Sequence, residues 1–347
     1  MSGSQSALNQ GSKFKTDGDM NLNLVRAFVI LVLLILGCSF PAQAQSPAPD
    51  EVVFGVYIND IQQLDLKTQS YGMDFYVWLR WKNASINPAK TFEFMNPYNR
   101  SDHVVTALYD APQTMPDGSL YMATRFQGQF TSPMPMEKFP FDVQQLKFAF
   151  EDNVSGINKQ IFVPDKVPVL LSPRVIIPGY ILGAPEFARS NTLYPTTFGD
   201  LRTTDLDSYS RVTVSVPIRR HTLSNAIKVI LPIFLVAACA ALVFFIHPIY
   251  VEGRIGMGIT ALLTLVALQL TSNSNMPETD YLMMVDKLFF AAYIFVILTL
   301  AQAVHTSWPA FHGRNDVVVK QDRIAFVVLA GAFALGVVAI MYTSLGA

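Results

Sequence analysis

The chain has 347 residues, of which 51% are hydrophobic and 15% are charged, and its mean hydropathy is +0.32. These values predict a membrane protein with a sizeable soluble part. The net charge of -1 gives no reason to expect a nucleic-acid partner, and the two cysteines both fall in apolar segments, which argues against a disulfide framework.

Residues 1–44 are predicted to be an N-terminal extension followed by a signal peptide for export. Arg26 precedes an apolar run at 27–36, and the small residues at 42–44 suit signal peptidase. Met20 is an alternative start that would give a signal of ordinary length. An uncleaved membrane anchor and a lipoprotein site at Cys38 are the other interpretations of this segment.

Residues 45–221 are predicted to form one soluble antiparallel β-sandwich of the immunoglobulin-like, all-β class. Apolar residues alternate with polar ones in several segments, which is the period of a half-buried strand. The apolar positions are Phe75, Val77, Leu79, Trp81, Leu146, Phe148, Phe150, Val212, Val214, Val216 and Ile218. The alternation places Trp81 in the core of the sandwich.

Residues 222–347 are predicted to form an all-α transmembrane domain of four helices, with spans at about 226–246, 254–273, 286–304 and 324–342. If the sandwich is exported, four spans return the C-terminus to the outside. Arg314, Lys320 and Arg323 then flank the inner ends of the last two spans, as the positive-inside rule requires.

The second span carries a stripe of small, polar and leucine residues along one helical face. Its members are Glu252, Gly256, Thr260, Leu263, Ala267, Leu270 and Ser274, spaced by alternating steps of four and three. A helix that lines a water-filled pore needs such a face, and Leu263 near mid-depth could close the pore by dewetting. A polar seam packed against neighbouring helices gives the same pattern.

Several motifs occur in a characteristic order along the chain. They are Phe139-Pro140-Phe141-Asp142-Val143-Gln144, the basic segment at 219–223, Pro232 in the first span, the segment at 254–260, and Pro277, Tyr281 and Asp286. Together they resemble a bacterial pentameric ligand-gated ion channel of the Cys-loop superfamily. The segment at 254–260 resembles the start of the pore helix in glycine receptors.

The resemblance implies a homopentamer around a central pore, multi-pass in a bacterial inner membrane, with the sandwich on the periplasmic side. It implies a channel opened by an extracellular small ligand or by protons. It also implies that Phe139, Pro140, Phe141, Asp142, Arg220, Pro277 and Tyr281 couple ligand binding to opening, with Asp142 and Arg220 as an interdomain pair. A simple hairpin tip is the alternative role for the Phe139–Asp142 motif when it is taken alone.

The agonist site of the family lies between subunits, which here implicates Tyr76, Glu151, Asn153, Tyr194 and Phe198. An acidic and aromatic pocket would fit a small amine, a divalent cation or protons. Packing inside the sandwich is the alternative for Tyr194 and Phe198. Further candidate proton sensors are His103, His221 and His247, although each is also compatible with an ordinary histidine.

Glu252 predicts selection of cations such as sodium and potassium, because a ring of carboxylates at the inner mouth makes the local potential negative. Arg254 and the glycine-receptor-like segment favour anions instead. A membrane sensor that binds ligand without conducting is a third interpretation. We expect no enzyme activity, cofactor or metal site, because no nucleophile with its base, phosphate loop or metal-ligand spacing occurs.

Overall fold

A computed structural model describes residue 28 together with residues 48–201, 206–274 and 276–346. Met1–Pro47 and Ala48–Ala347 are two separate units, and the fold below is that of the second. The predicted start at Met20, the cleavage site at 42–44 and Cys38 lie outside the described residues.

The part of the second unit before residue 221 is a two-sheet β structure. Its described strands are β1 (Asp50–Asp65), β2 (Ser70–Trp81), β3 (Phe92–Phe94), β4 (Val104–Ala107), β5 (Gln113–Thr114), β6 (Leu120–Thr131), β7 (Val143–Asp152), β8 (Gln160–Leu171), β9 (Tyr180–Leu182), β10 (Glu186–Leu193) and β11 (Ser208–Arg220). A single helical turn, Pro88–Thr91, precedes β3.

The first sheet has the order β4-β6-β2-β1-β8, with β5 on β6, and the second has the order β10-β11-β7-β3, with β9 on β11. The strand pairs are antiparallel, as predicted, except that β1 and β8 run parallel. This exception arises because β7 lies in the second sheet, so the chain crosses the sandwich before β8 and does not return by a hairpin.

The core between the sheets is aromatic and follows the alternation in the sequence. The eleven predicted inward positions are all buried, including Trp81 at 2% exposure. The rings of Phe75 in β2 and Phe148 in β7 stack at 4.2 Å between centroids and so join the two sheets. Such a pair contributes about 0.5–1.5 kcal/mol beyond the burial of its area. The predicted β-sandwich is confirmed.

Beyond the sandwich the chain forms four long apolar helices. They are α1 (Thr222–Ala241, extended by a 3-10 turn at Leu242–Phe245), α2 (Val251–Asn273), α3 (Met284–Phe311) and α4 (Asn315–Gly346). At about 1.5 Å per residue each is long enough to cross a hydrocarbon core of about 30 Å. Helices α3 and α4 extend past their predicted spans at both ends, and α2 begins before its span. Helix α1 begins before its predicted span, and its 3-10 turn ends at Phe245, just short of the predicted end. A multi-pass membrane protein follows from these four helices.

Candidate functional site

The stripe on α2 lies along the exposed side of the helix. All seven of its residues are exposed, with 65% exposure for Leu263 and 69% for Leu270, whereas Gly258, Ala261 and Leu265 are buried on the opposite side. The Thr260 hydroxyl donates to the Gly256 carbonyl at 2.8 Å. Among the helices that the structure describes, none packs along the stripe as a seam, so the stripe can face a lumen or a neighbouring subunit.

Arg254 projects from the other side of α2 into the helix bundle and is fully buried. Its Nη2 donates to Asp322 Oδ2 in α4 at 2.7 Å. Its Nε donates to the Val243 carbonyl at 3.1 Å, and Nη1 donates to Thr306 Oγ1 in α3 at 3.3 Å. The guanidinium thus faces away from the exposed stripe and binds three other segments of the chain.

At the junction of the two domains, Asp142 and Arg220 meet, as the sequence predicts. Arg220 Nε lies 3.3 Å from Asp142 Oδ1, and the exposed fractions of the two side chains are 13% and 2%. The guanidinium carbon lies 5.1 Å from the Phe139 ring centroid and 4.9 Å from that of Tyr180. Burial raises the pKa of Tyr180. One buried acid therefore faces one cation held between two aromatic rings.

The loop around Asp142 also contacts the membrane helices and their linker. The Met136 amide donates to the Tyr281 hydroxyl at 2.9 Å, and the Met284 amide donates to the Glu137 carbonyl at 2.9 Å. Asn225 Nδ2 in α1 donates to the Pro140 carbonyl at 3.4 Å. Phe141 packs partly buried at the core, and Pro277 is buried in the linker. The predicted coupling residues are thus brought together, while their role in gating stays a prediction.

Four of the five predicted ligand-binding residues line one cavity of about 440 Å³ on the second sheet. They are Glu151, Asn153, Tyr194 and Phe198, and the cavity is completed by Glu93, Met95, Asp152 and Tyr209. The Tyr194 ring lies 5.5 Å from that of Phe198 and 5.7 Å from that of Tyr209. Because these rings line an open cavity, packing inside the sandwich does not describe Tyr194 and Phe198.

The sequence analysis did not identify Arg211, which pairs with Glu151 in this cavity. Arg211 Nε forms a short contact with Glu151 Oε1, and its Nη2 donates to the Tyr194 hydroxyl at 3.0 Å. That hydroxyl donates to Glu151 Oε2 at 2.9 Å. Burial and the neighbouring Glu151 carboxylate raise the pKa of Tyr194. The alternation in β7 and β11 could have placed Glu151 and Arg211 on one face, but only the register of the strands pairs them.

Tyr76 lies outside this cavity, on β2 of the first sheet. Its ring is 6.5 Å from that of Tyr57, and the Arg125 guanidinium carbon lies 5.5 Å from its centroid. Arg125 also donates to Asp74 at 2.8 and 2.7 Å, and this pairing lowers the pKa of Asp74. Tyr76 can therefore join the other four residues only across a subunit interface.

The candidate histidines do not converge on the cavity. His103 Nε2 is 2.9 Å from the Gln129 carbonyl, and its ring is 5.0 Å from that of Phe130. His221 directly precedes the first residue of α1, without a capping hydrogen bond from its side chain, and the His247 ring lies 6.4 Å from that of Tyr250. In the part of the chain that the structure describes, no group of three or more His, Cys, Asp or Glu residues is placed to hold a metal.

The known proteins to which this chain is similar are channels, and they share little sequence identity with it. No family model matches the chain. It is 21% identical over 77% of its length to an acetylcholine-gated chloride channel subunit of Caenorhabditis elegans, covering 59% of that protein. It is 21% identical over 82% of its length to a proton-gated ion channel of Gloeobacter violaceus, covering 82%. It is 24% identical over 61% of its length to a pH-sensitive chloride channel of Drosophila melanogaster, covering 40%. The match thus spans less than two thirds of the nematode and fly proteins.

Proposed function

We propose that this chain, a member of the Cys-loop superfamily of pentameric ligand-gated ion channels, assembles as a homopentamer and conducts cations through a pore lined by α2. The proposed pore-lining residues are Glu252, Gly256, Thr260, Leu263, Ala267, Leu270 and Ser274. The face of α2 that carries these residues is exposed in the described part of the chain, and this supports the assignment. The relatives named above are channels, and none is named as an enzyme, in agreement with the sequence-based expectation.

Cation selection rests on one observation, the opposite placement of the two charges at the start of α2. Glu252 is exposed on the stripe, whereas Arg254 is fully buried on the other side of the helix. A charge facing the lumen acts on a permeating ion directly, while a buried and paired charge contributes little to the potential there. A ring of Glu252 side chains would therefore attract sodium or potassium and repel chloride.

The agonist, in this proposal, binds at the cavity of Glu151, Asn153, Tyr194 and Phe198, with Tyr76 approaching from the neighbouring subunit. Motion there reaches the membrane through the loop of Asp142 and its contacts with the linker at 276–283. The agonist is a small molecule or the proton, and the protein acts as a multi-pass protein of a bacterial inner membrane with its sandwich outside.

A second candidate is an anion channel of the same family. Two of the three relatives described above are named as chloride channels, and this favours chloride as the permeating ion. In that case Arg254 would need to leave Asp322 and reach the lumen in the open state.

The deciding experiment measures reversal potentials in patches excised from oocytes that express the mature chain, with sodium chloride at two concentrations as the only salt on the two sides. A cation-selective parent approaches the sodium equilibrium potential, about 59 mV for each tenfold gradient. Glu252→Gln should move this value toward zero. Glu186→Gln is the matched control, because Glu186 is exposed on β10 in the sandwich. A parent current carried mainly by chloride would refute cation selection, and no current under any ligand or pH would favour a non-conducting sensor.

A further inference from the structure

We propose that Asp322 determines ion selectivity by holding Arg254 inside the helix bundle and cancelling its charge at the inner mouth. Asp322 itself does not face the exposed stripe, so it is a positioning residue and not a pore-lining one. The inference rests on the proposed function, since it specifies how the Glu252 ring comes to dominate selection.

The pair is enclosed from several sides, which makes the position of the guanidinium well defined. Asp322 is 1% exposed, its Oδ2 accepts from Arg254 Nη2 at 2.7 Å, and its Oδ1 accepts from Gln302 Nε2 at 3.2 Å. Thr306 Oγ1 accepts a further hydrogen bond from Nη1, and the Val243 carbonyl accepts one from Nε. Four segments of the chain therefore meet at the first turn of α2, two residues from Glu252.

The formal charges near the mouth explain why Asp322 matters. Glu252 and Asp322 are negative and Arg254 is positive, so these three groups together carry one net negative charge in each subunit. A neutral residue at 322 leaves Glu252 and Arg254 to cancel each other. In a symmetric pentamer this change occurs in every subunit, and the mouth loses its negative potential.

Loss of Asp322 would also change where Arg254 lies. A buried charge without its partner is strongly disfavoured, and a long arginine side chain can move its head toward water while its stem stays buried. The first turn of α2 is at the aqueous end of the helix, so water is close. At that end the positive charge is no longer cancelled.

The test compares the reversal potential of the parent with that of Asp322→Asn in a sodium chloride gradient. We expect the chloride-to-sodium permeability ratio to rise by about tenfold. The double variant Arg254→Gln/Asp322→Asn removes both charges of the pair and should return to the parental ratio. A parental ratio in Asp322→Asn, or an equally raised ratio in the double variant, would overturn the proposal.

Asp316→Asn is the matched control, because Asp316 lies exposed in the first turn of the same helix and should leave the ratio unchanged. If Asp322→Asn does not reach the surface alone, tagged Asp322→Asn subunits can be co-expressed with parental ones. The ratio should then rise with the mutant fraction in the purified pentamer, and an unchanged ratio despite confirmed incorporation would overturn the proposal. An anion-selective parent would instead refute the proposed cation function, and the difference between parent and variant would still test Asp322.

Discussion

Replacing Asp142 by asparagine tests whether the junction pair transmits the binding signal. The substitution keeps the shape of the side chain and removes the charge that faces Arg220 at 3.3 Å. Gln144 Nε2, which donates to Asp142 Oδ2 at 2.7 Å, can donate equally well to the asparagine oxygen. We therefore expect normal folding and assembly, with a channel that opens poorly.

The size of the effect follows from the geometry of the pair. Two unit charges 3.3 Å apart attract by about 5 kcal/mol at an effective dielectric near 20, and desolvation of both groups offsets much of this. Arg220 keeps its two aromatic neighbours in the variant, with about 0.5–2 kcal/mol of cation–π attraction. We expect a coupling loss of about 1–3 kcal/mol, or a roughly 5- to 150-fold higher agonist requirement.

The assay is a double-mutant cycle on concentration–response curves with Asp142→Asn, Arg220→Gln and the double variant, using the ligand or pH that opens the parent. Direct pairing predicts an interaction energy well above 0.5 kcal/mol, whereas independent sites add to within about that value. Asp110→Asn, an exposed acid of the sandwich, should behave as the parent. Additive effects of the two substitutions, at normal surface expression, would refute the pairing argument.

Two further predictions concern the pore and the agonist interface. Leu263→Ser should let water fill the constriction, because a hydroxyl at this exposed position stabilises water in the lumen. The variant should therefore show higher agonist sensitivity or a current at rest. Gating identical to that of the parent, at normal surface expression, would contradict this. Tyr76→Ala should weaken binding of an amine agonist by roughly 0.5–2 kcal/mol in a concentration–response assay, whereas a proton-gated channel should be almost unaffected by it.

The periodicity of the sequence was sufficient to predict which side of β2, β7, β11 and α2 is buried. The inward residues of β2, β7 and β11 and the exposed stripe of α2 follow directly from periods of two and of about 3.6. The parallel pairing of β1 with β8 could not be predicted this way, because alternation is the same for a parallel and an antiparallel neighbour.

The partners of charged residues were the least predictable feature of the chain. Glu151 and Arg211 are 60 residues apart, and Arg254 and Asp322 are 68 residues apart. Periodicity gives the direction of each side chain, but contact depends on strand register or helix packing. The Asp142–Arg220 pair was predictable only through the resemblance to a family, since no local pattern joins positions that are 78 residues apart.

The pairing of Glu151 with Arg211 changes which ligands the cavity lined by Glu151, Tyr194 and Phe198 can attract. A free carboxylate beside Tyr194 and Phe198 would draw a small amine by its charge alone. Glu151 is already bound by the Arg211 guanidinium, so an incoming cation must either compete with that group or rely on the aromatic rings. The cavity therefore offers a cation less charge than the acidic stretch at 151–152 suggests.

The same reasoning applies to the conflict between Glu252 and the glycine-receptor-like segment that begins at Arg254. A residue selects ions through the potential it creates in the lumen, so its orientation and its partners matter as much as its charge. Arg254 is buried against Asp322, and Glu252 is not. Relatives at 21–24% identity differ from this chain at most positions. The names of these relatives therefore bear less on one mouth residue than its orientation does, and the proposal of cation selection depends on the orientation of Glu252 and Arg254.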